Sequence, residues 1–374
     1  MSTGSLPPEL LELTFGFCRD LRRLHAAACV CKSWLKAAAR CRNALRRLTY
    51  NCGYGERGSR PDQFHHADVL CALGTEHHVA VDDRLLVSEE QRLRLVLTHL
   101  ADDVATEPQL THSADDVKKW AHLAGGRGSD GPCGMAYDAD NSKLYVSDTG
   151  IDQVFAVQLN NLGMPVGCTS AKTLRLCDHR CCGPGALCFH QGKLYVACAP
   201  RHIVVFSSLP NLGSNDLSAR NRIWDQREEA DPFGGQPQDL AALDDELFVA
   251  DTQNHRIVVL CLSLLSSLSG RRQRTLGKQG TAPGEFRKPT AITACRRGAD
   301  AFLIVGEFTG RRVQILSLFG APLQLLTLAP AVGPVRVGPF CVQGDRVYAT
   351  ASAPGPPLLV FDLKKWGRQR PVVR

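Results

Sequence analysis

The sequence lacks a long uncharged apolar stretch. No run of about 18 such residues occurs, which is the length that a membrane-spanning helix needs. The first residues, MSTGSLPPELLELTF, carry acidic side chains where a secretory signal would have Lys or Arg before an apolar stretch. We therefore expect no membrane segment and no secretion, with the chain in the cytoplasm, the nucleus or both. In those compartments the 16 cysteines are expected as reduced thiols rather than as a disulfide framework.

Recognisable catalytic motifs are also missing. The chain has no Gly-rich phosphate loop and no G-x-S-x-G turn, and its histidines have no partners at a recognisable spacing. The densest Cys/His group, CDHRCC at residues 177–182, lacks the two separated cysteine pairs that are typical of a zinc site. We expect no catalytic residue, no metal and no cofactor, which favours a non-enzymatic role.

The positive charge of the chain is concentrated in two zones. Residues 1–50 contain nine basic and three acidic residues, and residues 271–312 contain ten basic and three acidic residues. The formal net charge of the whole chain is only +7, so the remainder is acidic on balance. Two separate basic zones indicate two surfaces with different partners.

A unit of two strand-like segments around a polar turn recurs along the chain. Its clearest copy is LFVADTQNHRIVVL at residues 247–260, and related segments lie at residues 85–97, 144–157, 194–206, 302–316 and 347–361. Apolar runs, β-branched residues and Gly/Pro punctuation favour short antiparallel strands over a helical solenoid. One such small sheet cannot bury both of its faces by itself. Six copies therefore predict a β-propeller, in which neighbouring sheets bury each other's faces.

A proline precedes the unit in five of the six copies. These residues are Pro132, Pro184, Pro237, Pro289 and Pro339, at intervals of 50 to 53 residues. The third residue after each is aliphatic: Met135, Leu187, Leu240, Ile292 and Val342. In the first copy, His66 and Val69 fit these two places. Proline donates no hydrogen bond, so we expect it at the first residue of each sheet's first strand. Residues 45–50 are a candidate for a last outer strand.

The repeated pattern resembles the NHL repeat. Gly284–Pro289 matches its G-x-F-x-x-P half, and Val249–Ile257 matches its V-A-D-x-x-N-x-R half. The resemblance covers residues 55–363 and implies a mainly β fold, a six-bladed NHL-like β-propeller over residues 51–363, followed by a basic tail at 364–374. Cys198 and Ala351 stand where the family has Asp, so those two turns are expected to differ.

Four copies end their second strand in a carboxylate: Glu89, Asp148, Asp251 and Glu307. One reading makes these residues a ring of metal ligands. The other makes each one the acceptor for polar groups of its own turn. We favour the second reading, because equivalent positions in different sheets of a ring lie far apart.

The N-terminal segment has a different pattern. Residues 6–40 show no strand alternation, and apolar residues recur at helical spacing after Pro7 and Pro8. The series Leu6-Pro7-x-Glu9-Leu10-Leu11, Asp20-Leu21 and Cys29-Val30-Cys31-Lys32-x-Trp34 resembles an F-box. The resemblance implies a small three-helix domain at residues 1–50 that docks the Skp-family adaptor of a cullin-RING ubiquitin ligase. The residues it assigns to this adaptor contact are Leu6, Pro7, Leu10, Leu11, Leu21, Val30, Cys31 and Trp34.

The second basic zone is a candidate ligand face of the propeller. Its members are Arg271, Arg272, Arg274, Lys278, Arg287, Lys288, Arg311 and Arg312. The NHL resemblance implies single-stranded RNA as one ligand, since TRIM-NHL relatives bind it on a basic propeller face. Few aromatic residues accompany the zone, Phe286 and Phe308 being the candidates for base stacking. An acidic protein ligand, or a merely solvated charged edge, fits the composition as well.

Together these features predict a non-catalytic substrate-recognition subunit of an SCF-type E3 ubiquitin ligase. The F-box would dock the adaptor while the propeller binds a target protein. The alternative is an NHL-propeller scaffold or single-stranded RNA-binding protein without a role in ubiquitination.

Overall fold

The computed structural model describes residues 46–54, 64, 67–73, 83–89, 92–98, 109–110, 132–150, 152–160, 172–175, 183–198, 202–206, 220–225, 237–263, 272–297, 300–328, 336–352 and 355–365. These residues form 24 strands in six four-stranded antiparallel sheets. The fold is a mainly β propeller, as the repeats predict. The F-box helices expected before residue 46 lie outside the described residues.

Five sheets are each built from four consecutive strands. Sheet I contains β2 (Leu70–Ala72), β3 (Asp83–Glu89), β4 (Arg92–Thr98) and β5 (Gln109–Leu110). Sheet II contains β6 (Pro132–Asp138), β7 (Lys143–Asp148), β8 (Gln153–Gln158) and β9 (Lys172–Arg175). Sheet III contains β10 (Pro184–His190), β11 (Lys193–Cys198), β12 (His202–Phe206) and β13 (Arg220–Asp225). Sheet IV contains β14 (Pro237–Leu243), β15 (Glu246–Asp251), β16 (Arg256–Cys261) and β17 (Arg272–Leu276). Sheet V contains β18 (Pro289–Arg297), β19 (Asp300–Glu307), β20 (Arg312–Ser317) and β21 (Pro322–Thr327).

Sheet VI combines the two ends of the described chain. Its strands β22 (Val337–Gln343), β23 (Arg346–Ala351) and β24 (Leu358–Lys365) are followed in space by β1 (Arg46–Tyr54). Strand β1 pairs antiparallel with β24 from Arg46 opposite Lys365 to Tyr54 opposite Leu358. Residues 46–50 of the candidate outer strand are therefore paired in this sheet, in a strand that continues to Tyr54.

The strand register corrects the proline-based alignment of the repeats in two places. Pro237 lies opposite Asp251 at the strand end, and Val337 takes the corresponding place opposite Ala351. Pro339 instead falls in the irregularity between Val337 and Phe340, where a residue without an N–H costs no ladder bond. In sheet I, Leu70 pairs with Val87, so Leu70 and not Val69 occupies the aliphatic position.

Apolar side chains fill the space between successive sheets. In β15, Leu247 and Val249 pack in a cluster with Tyr195 of sheet III, whereas Phe248 and Ala250 pack in a cluster with residues of sheet V. Both faces of the strand are therefore buried, which explains why LFVA is a continuous apolar run without alternation. Corresponding clusters join sheets I with II, II with III, V with VI and VI with I.

Within the described ranges, no helix is long and apolar enough to cross a membrane.

Candidate ligand surface

In sheets II and IV, the turn after the second strand is held by a carboxylate of the same sheet. Asp251 is fully buried, and its Oδ2 accepts hydrogen bonds from Asn254 Nδ2 at 2.9 Å and from Arg256 Nε at 2.7 Å. In sheet II, Asp148 Oδ1 accepts the backbone N–H of Gly150 at 3.0 Å. These carboxylates act as turn acceptors, and nowhere in the described part of the chain do three or more His, Cys, Asp or Glu residues form a metal-binding group.

Sheet V uses its strand-end carboxylate differently. Glu307 is fully buried, and its Oε1 accepts hydrogen bonds from Arg312 Nε and from Gln314 Nε2, both at 2.7 Å. Its Oε2 accepts the backbone N–H of Arg287 at 2.8 Å. The guanidinium of Arg312 also donates to backbone oxygens of the loop before β18. Arg312 was a candidate of the ligand face, but it is only 8% exposed and its donors are directed inward.

Phe308 lies at this end of sheets V and VI, on loops that also carry four cationic residues. We call Arg287, Lys288, Phe308, Arg311 and Arg336 the basic surface. The backbone N–H of Phe308 donates to Lys288 O at 2.9 Å, and that of Arg311 donates to Glu307 O at 3.2 Å. The guanidinium carbon of Arg336 lies 4.0 Å from the centroid of the Phe308 ring. The side chains of Arg287, Arg311 and Arg336 are exposed, and that of Lys288 is half-buried.

His255 connects sheet IV to the basic surface. Its Nδ1 accepts the backbone N–H of Lys288 at 3.0 Å. Partial burial, followed by the charges of Lys288 and Arg287, lowers the pKa of His255, so the neutral ring that accepts this bond is favoured. His255, Lys288 and Arg311 all have positive φ angles, of 55°, 57° and 49°. Backbone conformations of this kind are costly for residues other than glycine and persist where surrounding contacts hold them.

Two other sequence candidates, Arg274 and Lys278, make contacts outside this surface. Arg274 forms an ion pair with Glu246 and lies over the exposed ring of Phe319, with 5.0 Å between the guanidinium carbon and the ring centroid. The exposed Lys278 ammonium lies 3.5 Å from a carboxylate oxygen of Glu285. Arg271 and the side chain of Arg272 lie outside the described residues, as do the adaptor-contact candidates Leu6, Pro7, Leu10, Leu11, Leu21, Val30, Cys31 and Trp34.

Arg336 was missed because it lies outside the basic run of the sequence. The repeats nevertheless contain a signal for it. Lys288 immediately precedes Pro289, the first residue of β18, and Arg336 immediately precedes Val337, the first residue of β22. The two residues thus occupy equivalent positions, and the correct register of sheet VI would have identified Arg336.

A cavity of about 200 Å³ lies among the first strands of all six sheets. Asp239 contributes to its lining, and burial raises the pKa of this carboxyl group to about 7. Asp239 Oδ1 accepts the N–H of Leu240 at 2.9 Å, and Oδ2 accepts the N–H of Ile292 in sheet V at 2.8 Å. Both oxygens therefore bond to backbone groups, and the residue joins two neighbouring first strands.

Comparison with known proteins supports the fold alone. A gluconolactonase from Xanthomonas campestris is 14% identical, with a TM-score of 0.51, and the match covers 85% of this chain and 90% of that one. The WD40 β-propeller domain of Doa1 is 13% identical, with a TM-score of 0.48 and coverage of 85% and 98%. No protein-family model and no curated protein matches the sequence.

Proposed function

We propose that the six sheets are the blades of one closed ring. The interface between sheets VI and I supports this reading, because it repeats the chemistry of another interface. Thr350 Oγ1 in sheet VI donates to the backbone oxygen of Asp68, just before sheet I, at 3.3 Å. Ser147 Oγ in sheet II donates to Gly185 O in sheet III at 2.6 Å. Such a ring is a rigid platform that presents its turns to a partner.

We further propose that the chain is a substrate-recognition subunit of an SCF-type ubiquitin ligase. The observation that carries this proposal is the F-box-like order of residues directly before a strand of the propeller. Eleven residues separate Trp34 from Arg46, the first residue of β1, and a linker of this length spans at most about 40 Å. An adaptor bound at residues 6–34 would therefore stay close to the outer edge of sheet VI.

In this role the chain supplies position rather than catalytic groups. A target held on the propeller would have its lysines near the ubiquitin carrier that the ligase recruits. Holding two reactants together lowers the reaction barrier, because the entropy of bringing them together has already been lost on binding. The proposed function therefore requires a docking segment and a recognition surface, and no catalytic residue in this chain.

Capture of a purified Skp-family adaptor by the full-length chain tests the proposal. Leu10→Arg should abolish capture, because it places a charge in the apolar contact that the F-box resemblance implies. Leu325→Arg is the matched control, since Leu325 is 40% exposed on the outer strand of sheet V and should tolerate the same change. Absence of capture by the wild-type chain, or capture that survives Leu10→Arg, would refute the adaptor role.

The basic surface favours one alternative, a scaffold that binds single-stranded RNA. Phosphate contacts with Lys and Arg release counterions, so RNA affinity should fall steeply with salt. Titration of the full-length chain with an oligouridylate at two salt concentrations separates the alternatives. RNA binding without adaptor capture would support the scaffold, and adaptor capture without RNA binding would support the ligase subunit.

A further inference from the structure

Acidic groups do not offset the charge of the basic surface. In the described part of the chain, no ion pair involves the side chains of Arg287, Lys288, Arg311 or Arg336. Glu307 is fully buried and already paired with Arg312, and the carboxylate of Glu285, two positions before Arg287, is paired with Lys278. Four cationic groups therefore give this end of the propeller a positive surface potential, which attracts anions.

The opposite end of the same sheets is different. There the hairpin turns carry acidic residues, and two of the described cations nearby are paired with them. Arg296 of sheet V forms an ion pair with Asp244 of sheet IV, and Arg297 Nε lies 3.9 Å from a carboxylate oxygen of Asp345 in sheet VI. Among the side chains that the structure describes in these three sheets, the positive charge without an acidic partner therefore lies at the end that carries the basic surface.

The basic surface is also held in place before any ligand arrives. Arg336 is positioned over the Phe308 ring, and stacking of a guanidinium on an aromatic ring leaves its N–H edges available for an oxyanion. The backbone of Lys288 is fixed by His255, and Thr309 Oγ1 donates to Arg287 O at 2.9 Å. Less conformational entropy is lost on binding when one guanidinium and the backbone of the neighbouring cationic residues are already fixed.

The aromatic content of the surface distinguishes between two anionic ligands. Single-stranded RNA binds along rows of aromatic side chains on which successive bases stack. Phe308 is only 36% exposed, and Arg336 already lies over its ring. Among the aromatic side chains whose exposure the structure describes, Phe319 is the other exposed one, but it lies on the β20–β21 turn beside Arg274. The surface therefore offers cations without a stacking platform, which suits carboxylates better than bases.

We propose that the basic surface binds an acidic segment of a protein, whose carboxylates pair with Arg287, Arg311 and Arg336. The proposal rests on the proposed recognition role, in which this segment belongs to the target. It specifies the partner by its chemistry, a run of Asp or Glu side chains. Arg–carboxylate pairs are favoured here because the guanidinium donates two parallel N–H bonds to the two carboxylate oxygens.

Fluorescence anisotropy of a short labelled oligoglutamate, titrated with the full-length chain, tests the proposal. The surface variant combines Arg287→Gln, Arg311→Asn and Arg336→Gln; Asn is used at position 311 because it tolerates the positive φ there. The matched control, Lys143→Gln, Lys193→Gln and Arg346→Gln, removes three charges from the first residues of β7, β11 and β23, at the other end of their sheets. Thermal unfolding verifies that both variants fold.

We expect saturable binding that weakens at least about tenfold in the surface variant, equivalent to about 1.4 kcal/mol, and less than about twofold in the control. An equal loss in both variants would mean attraction by net charge alone and would overturn the proposal. Absence of oligoglutamate binding would overturn it too, as would an oligouridylate of the same length that binds more tightly through the same three arginines. Adaptor capture by the surface variant should remain, so failure of this inference is distinguishable from failure of the ligase role.

Discussion

The side-chain amide of Gln324 bonds both backbone groups of Leu48. Gln324 Nε2 donates to Leu48 O at 2.7 Å, and Leu48 N donates to Gln324 Oε1 at 3.0 Å. One side chain on the outer strand of sheet V thus imitates a strand neighbour for the outer strand of sheet VI. Leu48 itself is fully buried in the cluster between these two sheets.

Replacing Gln324 by Ala should therefore loosen β1. We expect a loss of about 1–3 kcal/mol in the free energy of unfolding, because two partly buried bonds disappear together. Denaturant unfolding measures the change. Thr327→Ala, at an exposed position of the same strand, is the control and should be nearly neutral. Equal stabilities of the two variants would show that the amide contact contributes nothing.

The closing role of β1 predicts different effects for two truncations. A chain that begins at residue 44 keeps β1, whereas a chain that begins at residue 55 removes it and leaves the edge of β24 unpaired. The shorter chain also loses the buried Leu48 side chain, a change that alone costs about 2–5 kcal/mol. We expect a clearly lower Tm and more aggregation for the shorter chain. Matching melting curves would contradict closure by β1.

Removal of Arg312 should leave an uncompensated carboxylate inside sheet V. We expect Arg312→Met to destabilise the protein by about 3–5 kcal/mol, because Glu307 stays buried without its charged partner. Adding Glu307→Gln should recover part of this loss by removing the charge. Arg287→Met is the control, because that side chain is exposed while its backbone N–H makes the contact to Glu307. If the double variant loses as much unfolding free energy as the two single variants together, Arg312 and Glu307 are not coupled.

Thr252 links sheets IV and V through a single hydroxyl. Its Oγ1 donates to Pro289 O at 2.6 Å, and Thr149 makes the same bond to Pro184 O between sheets II and III. Thr252→Val keeps the shape but leaves a buried carbonyl unsatisfied, so we expect a loss of about 1–3 kcal/mol in unfolding free energy. Thr252→Ser keeps the donor and should lose less. A larger loss of stability for Thr252→Ser than for Thr252→Val in urea unfolding would disprove the hydrogen-bond role.

Asp239 should make stability depend on pH. Burial raises the pKa of its carboxyl group to about 7 in the folded protein, above the value of about 3.9 for an exposed Asp. The folded state then binds a proton more tightly than the unfolded state, so stability from this residue is full below about pH 4. It decreases as pH rises and is lost by about pH 7, by up to about 4 kcal/mol.

The comparison of wild type with Asp239→Asn isolates this contribution. The difference in unfolding free energy between the two proteins should change over this pH range in the stated direction. Asp140→Asn, at an exposed turn, is the control and should retain the wild-type profile. An unchanged difference between pH 4 and pH 7 would show that Asp239 titrates alike in both states.

The sequence predicts the strand repeats because the signals are local. Pro132, Pro184, Pro237 and Pro289 are each the first residue of a strand, a place where the missing N–H donor is tolerated. The prediction was wrong for Pro339, since a bulge tolerates proline equally well and the sequence alone does not distinguish the two places.

The composition of the basic surface was harder to predict. Arg311 and Arg312 are adjacent, yet Arg311 is exposed while Arg312 is buried against Glu307. Arg311 lies in the turn before β20 with a positive φ, whereas Arg312 is the first residue of β20, in which all six residues are buried. A charge count treats both residues alike, so the run of basic residues indicated the region of the surface but not its members.

The pairing of β1 with β24 also determines when the propeller can finish folding during synthesis. Thr49 and Asp362, which are bonded across these strands, are separated by 313 positions. At about 5–20 residues per second, a ribosome needs roughly 15–60 s between making the first strand and making its neighbour. During that time β1 has no strand partner, and sheet VI can assemble only after β24 has been synthesised. Factors that shield nascent strands should therefore matter for the yield of this protein.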